Sequence, residues 1–244
     1  PNRITTCHNG AGKATGLLSI FNNYQLEFKS HTNFARHYLN LLKFAGIEQS
    51  SEEKEIFIRP EEERKASDFL ARNNLSVNDL LIGISAVPGN KIKQWDLSKF
   101  AVLSDLLIKN EGAKIIFTGS VDDFDPVEKI KKMMRHHSIN GAGYFKLYEA
   151  PALLKKMKLF ISVDSGPLYI ANALDVPVIN IGGSYDIQEQ APAGNKCKIL
   201  QKYPMACSFI APASSACREK HLKNLQNITP EEVFSATKSL LNQV

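Results

Sequence analysis

The sequence predicts an α/β fold, a doubly wound parallel sheet with helices on both faces, and three observations carry that expectation. Short apolar runs alternate with helical stripes across residues 78–200, the rhythm of successive βαβ units. Runs such as Leu80–Ser85, Leu159–Val163 and Val176–Ile181 are almost continuously apolar, as strands buried on both faces should be. Small, polar or basic residues gather just after several of these runs, where an open parallel sheet binds its ligands.

Taken in order, Ile4–Cys7 reads as a short strand. Residues 33–45 carry apolar side chains at 34, 35, 38, 39, 41, 42 and 45, a helical stripe that stops at Gly46. Glu55–Ile58 reads as a strand, and Pro60 opens a helix to about Asn74. Leu80–Ser85 is a buried strand, and Asp96 caps a helix over about 97–110. Lys114–Thr118 is the next strand and Pro126–His136 the next helix. Pro151–Met157 is a short helix, Leu159–Val163 a strand, Ser165–Leu174 a helix and Val176–Ile181 a strand. Thr229-Pro230-Glu231-Glu232 places an N-cap before proline and acids in a first turn, with the helix running to about Leu241.

Composition narrows the function classes. With 244 residues, 43% hydrophobic and 23% charged, the chain can bury a core without disulfide or metal staples. No apolar run approaches the roughly 18 residues of a membrane-spanning helix. Thirty basic against 25 acidic side chains leave +5, which permits a phosphate-bearing partner without demanding one. The basic run Lys129–Lys132 has no interleaved aromatics and reads as a solvated face, so no nucleic-acid partner is expected. The four cysteines form no C-x-x-C pair, so no metal site is expected and reduced thiols are the reading; a Cys207–Cys217 link stays open. The chain starts Pro1-Asn2-Arg3 without methionine, which suggests that the natural start lies upstream.

Five stretches bear on chemistry. Asn9–Gly16 looks like a nucleotide loop but matches neither the P-loop nor the dinucleotide spacing, and reads as a loop. Val163-Asp164-Ser165-Gly166-Pro167-Leu168-Tyr169 is a strand end, a turn and a helix start. Asp164 or Ser165 can cap that helix, and its N–H groups can seat a diphosphate; an ordinary capped helix fits the spacing equally well. A serine-hydrolase elbow is disfavoured, because Val163 stands where glycine is required. Pro88 to Trp95 follows a strand and precedes a helix, so Lys93 can neutralise a phosphate there, although a solvated lysine and a packing tryptophan are the plainer readings. Thr118–Asp123 at another strand end can bind a sugar hydroxyl, with another helix cap the plainer reading, and Gly182-Gly183 permits close backbone approach. Together they fit a nucleotide-type ligand lying across the rim of the sheet.

The run Val163–Val178, with Asp164-Ser165-Gly166 and Ala173-Leu-Asp-Val-Pro177, resembles the signature of glycosyltransferase family 9, the bacterial heptosyltransferases. Lys93-Gln94-Trp95-Asp96, Ala113–Gly119 and Ile228–Val233 are similar to further elements of that family. The resemblance implies a Rossmann-like fold of GT-B type, with two facing domains. It makes residues 78–244 the nucleotide-sugar donor domain, 51–77 a linking strand and helix, and 1–50 the last part of an acceptor domain. It implies an inverting, metal-independent transfer without cofactor, from a nucleotide-diphosphate sugar such as ADP-heptose to a lipopolysaccharide core-type acceptor. The location implied is the cytoplasm, with peripheral contact at the inner membrane.

By the same comparison Lys93 meets the donor diphosphate, and Asp164, Ser165 and Gly166 present the helix start to phosphates and sugar. Asp122 or Asp123 approaches the nucleoside, and Gly89 and Gly183 complete the donor set. The catalytic base would lie upstream of Pro1, so no catalytic residue is assigned. Tyr169 stands where the family has histidine, and Asp175 where it has glycine. Two other classes stay open: a nucleotide-sugar-binding module without turnover, and a nucleotide-sugar epimerase of GT-B architecture.

Overall fold

The computed structural model describes residues 3–7, 23–29, 31–48, 51–183, 185–192, 194–203 and 215–243. Asn9–Gly16 and Cys207 lie outside the described residues, as do the side chains of Cys7 and Cys217. The chain forms two compact units. The smaller draws on Pro1–Lys54, Ser184–Ala191 and Tyr203–Lys220, the larger on Glu55–Gly183, Pro192–Lys202 and His221–Val244.

In the smaller unit, strand β1 (Ile4–Cys7) pairs in parallel with β2 (Tyr24–Glu27). Helix α1 (Phe34–Leu41) starts at Asn33, whose side chain accepts from the Arg36 N–H at 3.3 Å. The helix tightens into a 3-10 turn over Leu42–Ala45 and stops at Gly46, whose φ of 78° most residues avoid. The Phe28 ring stacks on Phe34 and meets the buried His37 edge-on. His31 adopts φ 66°; its ring bonds Asp186, and its N–H donates to the Glu189 carboxylate at 3.1 Å.

The larger unit opens with α2 (Pro60–Arg72), followed by β3 (Leu81–Ser85) and α3 (Leu97–Glu111). Next come β4 (Lys114–Phe117), α4 (Phe124–Met133), the two-residue β5 (Ile139–Asn140) and α5 (Ala150–Leu154). Then follow β6 (Leu159–Val163), α6 (Gly166–Ala173), β7 (Val178–Ile181) and β8 (Cys197–Leu200). Helices α7 (Ser215–Asn227) and α8 (Pro230–Leu241) end the described chain.

Among the described residues β3–β8 form a six-stranded sheet in the order β5-β4-β3-β6-β7-β8, with every pairing parallel. Numbered from its own first strand, that is 3-2-1-4-5-6, the doubly wound order. Alternate residues serve opposite faces. Ile82, Ile84, Ile115, Phe117, Ile161 and Ile179 pack with α3, α4 and α8; Leu81, Ile116, Phe160 and Val178 pack with α2, α5 and α6. Both faces are covered, so the strands can be apolar throughout. Gly83 makes one close approach possible: a Cβ there would lie 2.6 Å from the Phe160 ring of the neighbouring strand.

Helix ends follow the local chemistry. Asp96 accepts from the Ser98 N–H at 2.8 Å and starts α3. Thr229 and Glu232 exchange side-chain and backbone hydrogen bonds at the start of α8. Asp175 takes φ 60° after α6 and pairs with Lys196, so aspartate does serve there in the left-handed region.

Two expectations are corrected. Glu55–Ile58 is not a strand: among the described residues it has no pairing partner in either sheet, and Phe57 is 85% exposed. The Pro126–His136 helix runs instead over Phe124–Met133, because the Asp105 carboxylate captures the N–H groups of Arg135 and His136. Strands β2, β5 and β8 and helix α7 were not expected. Helix α2 packs Ala66, Phe69 and Leu70 into the core of the larger unit.

Candidate functional site

The strand order reverses between β3 and β6. Their carboxyl ends therefore open a crevice, because the following connections leave toward opposite sides. The loop after β3 is firmly anchored. The Gln94 amide donates to the carbonyls of Ala86 (2.9 Å) and Trp95 (2.6 Å). Trp95 is buried against Phe100, and its indole N–H donates to the Ile228 carbonyl at 3.1 Å. Asn90 caps the 3-10 turn Lys91–Lys93 through the Ile92 N–H. This framework brings the Lys93 ammonium within 2.5 Å of an oxygen of Asp164, at the end of β6.

Asp164 is 3% exposed, and the Lys93 side chain 21%. The other carboxylate oxygen accepts from the Tyr169 hydroxyl at 2.6 Å. A buried ion pair of this kind is hard to break on one side only, since the charge left behind is desolvated and unmatched. Three of the residues expected at the donor site, Lys93, Asp164 and Tyr169, thus form one connected group across the switch point.

The start of α6 departs from expectation. Neither Asp164 nor Ser165 caps it. Asp164 is taken by Lys93 and Tyr169, and the Ser165 hydroxyl bonds to Ser162 at 2.9 Å. The helix thus begins without a side-chain cap, in the arrangement that receives anions. Nothing lies within 4 Å of where a Gly166 Cβ would be, so the approach is open.

Beside this seat is a cavity of about 620 Å³, lined from the ends of four strands. Gly89 and Val87 follow β3; Gly119, Val121 and Asp123 follow β4. Gly141, Gly143 and Leu147 follow β5; Ser165, Gly166 and Ile170 follow β6. The walls are mostly apolar, with few polar groups, the pattern of a small-molecule site. Val121 and Leu147, 73% and 78% exposed, contribute large apolar side chains from two different loops.

The loops are braced from behind. The Asp123 carboxylate accepts from the Ser120 N–H (2.7 Å) and hydroxyl (2.8 Å), closing the turn after β4. Asn140 donates to Glu128 at 2.9 Å and accepts from the Ala142 N–H, which holds the Gly141 turn. The Asn140 amide first, and then the Lys131 ammonium, hold the Glu128 carboxyl below its ordinary range. Glu149 accepts from Lys65 (2.5 Å) and from the Lys146 N–H (2.8 Å), and these bonds lower its pKa in that order.

Gly89, Ser165 and Gly166 line the cavity, as does Asp123. Asp122 is exposed and does not line it. Gly183 also stays out of the lining; it is buried after β7, and its carbonyl accepts from the Gln201 amide at 2.5 Å. The Gly141–Leu147 wall went unnoticed in the sequence. Its one signal in the sequence is the glycine pair Gly141-Ala142-Gly143. Among the described residues no group of three or more His, Cys, Asp or Glu side chains could hold a metal ion, and no helix is long and apolar enough to cross a membrane.

Comparison with known proteins adds to this geometry. The chain is 30% identical over 179 residues to lipopolysaccharide heptosyltransferase 3 of Escherichia coli, covering 68% of this chain and 48% of that protein. It is 27% identical over 184 residues to lipopolysaccharide heptosyltransferase 2 of Salmonella typhimurium, covering 72% and 50%. The chain thus spans about half the length of these curated relatives. Its fold is similar to a solved glycosyl transferase family 9 structure from Veillonella parvula, with TM-score 0.78, 24% identity, and 94% and 66% of the two chains covered. It is also similar to E. coli ADP-heptose lps heptosyltransferase II, with TM-score 0.70, 18% identity, and 99% and 77% covered. These likenesses fit the Rossmann-like, GT-B-type fold class that the sequence resemblance implied. The model of glycosyltransferase family 9 (heptosyltransferase) matches residues 4–220, and the chain belongs to that family.

Proposed function

We propose that the larger unit is the donor-binding part of a heptosyltransferase, which transfers a sugar from a nucleotide-diphosphate donor, ADP-heptose or a relative, to a lipopolysaccharide core-type acceptor. The observation that carries this reading is the meeting of Lys93 and Asp164 at the switch point, beside an uncapped helix start and an apolar cavity. A nucleoside diphosphate needs those three things: a cation, backbone donors and an apolar slot for the base.

In this reading the nucleoside enters the cavity between the loops after β4 and β5, with Asp123 rather than Asp122 on its wall. The diphosphate reaches the start of α6 and Lys93. Transfer proceeds with inversion and without a metal ion: an acceptor hydroxyl attacks the anomeric carbon, the bond to the diphosphate oxygen breaks, and the electron pair leaves with the nucleotide. Lys93 and the helix N–H groups stabilise the charge that develops on the leaving group. The hydroxyl proton passes to a base outside the donor unit. Residues 1–50 then belong to the acceptor side, and the protein works in the cytoplasm with peripheral contact at the inner membrane.

Calorimetry with ADP-heptose and ADP tests the reading. Binding in the micromolar range that weakens at least tenfold in Lys93→Ala is the expected result. No binding of either ligand at millimolar concentration would overturn it.

A further inference from the structure

Tyr169 lies in the first turn of α6 and directs its hydroxyl onto Asp164. The two oxygens of the buried Asp164 carboxylate are divided between two partners: one faces the Lys93 ammonium at 2.5 Å, the other accepts the Tyr169 hydroxyl at 2.6 Å. A carboxylate with both oxygens open to one ammonium could hold that charge through either or both. The phenol occupies one oxygen and draws off part of its negative charge. It sits one turn into the helix whose first residues line the cavity, so helix start, phenol, carboxylate and ammonium form a connected series.

We propose that Tyr169 is a positioning residue for the donor diphosphate: by occupying one oxygen of Asp164 it limits that carboxylate to a single bond with Lys93 and leaves the ammonium able to share its charge with a bound diphosphate. The proposal rests on the assignment of Lys93 to the diphosphate made above. Tyr169 touches no phosphate in this account. It acts through Asp164, and its effect falls on the phosphate part of the ligand alone.

That restriction supplies the test. ADP and adenosine are titrated separately into the chain and into Tyr169→Phe, which removes only the hydroxyl, and into Tyr169→His, which restores a donor. The expected result is ADP affinity about tenfold weaker in Tyr169→Phe, unchanged adenosine affinity, and recovery of most of the ADP loss in Tyr169→His. Unchanged ADP affinity in Tyr169→Phe overturns the proposal while wild-type binding keeps the donor-site reading intact. Equal losses of ADP and adenosine overturn it too, because they mark a general packing role. If the wild-type chain binds neither ligand, the donor-site reading fails and the proposal with it. Should thermal melting show Tyr169→Phe unfolded, Tyr169→His decides: ADP affinity within about threefold of wild type supports the proposal, and parallel loss of both ligands overturns it.

Discussion

At the ends of β3 and β6 the rim of the sheet is charged and closed by named contacts: Lys93 on Asp164, Tyr169 on the same carboxylate, Ser165 on Ser162. At the ends of β4 and β5 it is open and apolar, with Val121 and Leu147 standing well into solvent above glycine turns. The first region depends on single hydrogen bonds between desolvated groups, so deleting one atom is felt in full. The second depends on shape and area, so its losses scale with the surface removed. Variants that separate the two regions test the comparison directly.

The largest effect is expected from Lys93→Met. It deletes the cation and strands a buried carboxylate, so ADP affinity should fall about 30-fold or more, and stability by about 3–5 kcal/mol. Adenosine affinity should stay near wild type, and calorimetry beside thermal melting reads all three. Next comes Gly166→Val. A Cβ there has nothing within 4 Å, so melting should shift little while ADP affinity drops about tenfold, from a blocked helix start. Equal loss of adenosine would erase the distinction between the regions.

Smaller effects are expected on the apolar side. Leu147→Ser should weaken adenosine and ADP by the same factor, about three- to fivefold, because only the area over the base changes. A loss confined to ADP would reverse the assignment of the two regions. The smallest effect comes from pH. Glu128 and Glu149 brace the cavity walls, and both have pKa values lowered by their partners. Such groups favour the folded state above their unfolded pKa and lose that contribution as pH falls through the folded value. Melting temperature should be nearly flat from pH 7 to about 5.5 and decline below about 4.5. The decline should be shallower in Glu128→Gln, measured by thermal melting across that range.

The same contrast explains what the sequence made legible. Elements set by local chemistry are readable: the apolar β3 and β6, the Asp96 and Thr229 caps, and the stop at Gly46. Elements that exist only through a neighbour are not. β5 has two residues, too few to show a period, and exists because Ile116 and Phe117 pair with it. Glu55–Ile58 shows the converse: β-prone residues that find no partner strand. In the site, Lys93 and Asp164 could each be singled out, but their contact spans 71 positions and follows from strand order. Asp122 and Asp123 are adjacent and alike in the sequence, and only the fold separates them: Asp123 turns back to Ser120 and lines the cavity, while Asp122 is exposed.

The division of the chain also bears on how the protein acquires its shape during synthesis. The larger unit is assembled from three separate stretches, the last beginning at His221. Helix α8 from that stretch supplies Val233, Ala236 and Leu240 to the core built around Ile82 and Ile84. That face, which α3 and α4 cover in part, is therefore completed only when α8 (Pro230–Leu241), far along the chain from β3, has been made. A ribosome halted before α8 would display a half-covered apolar sheet, a natural client for a chaperone. The loop after β3 that carries Lys93 gains its Trp95 anchor only when Ile228, just ahead of that helix, is there to receive the indole N–H.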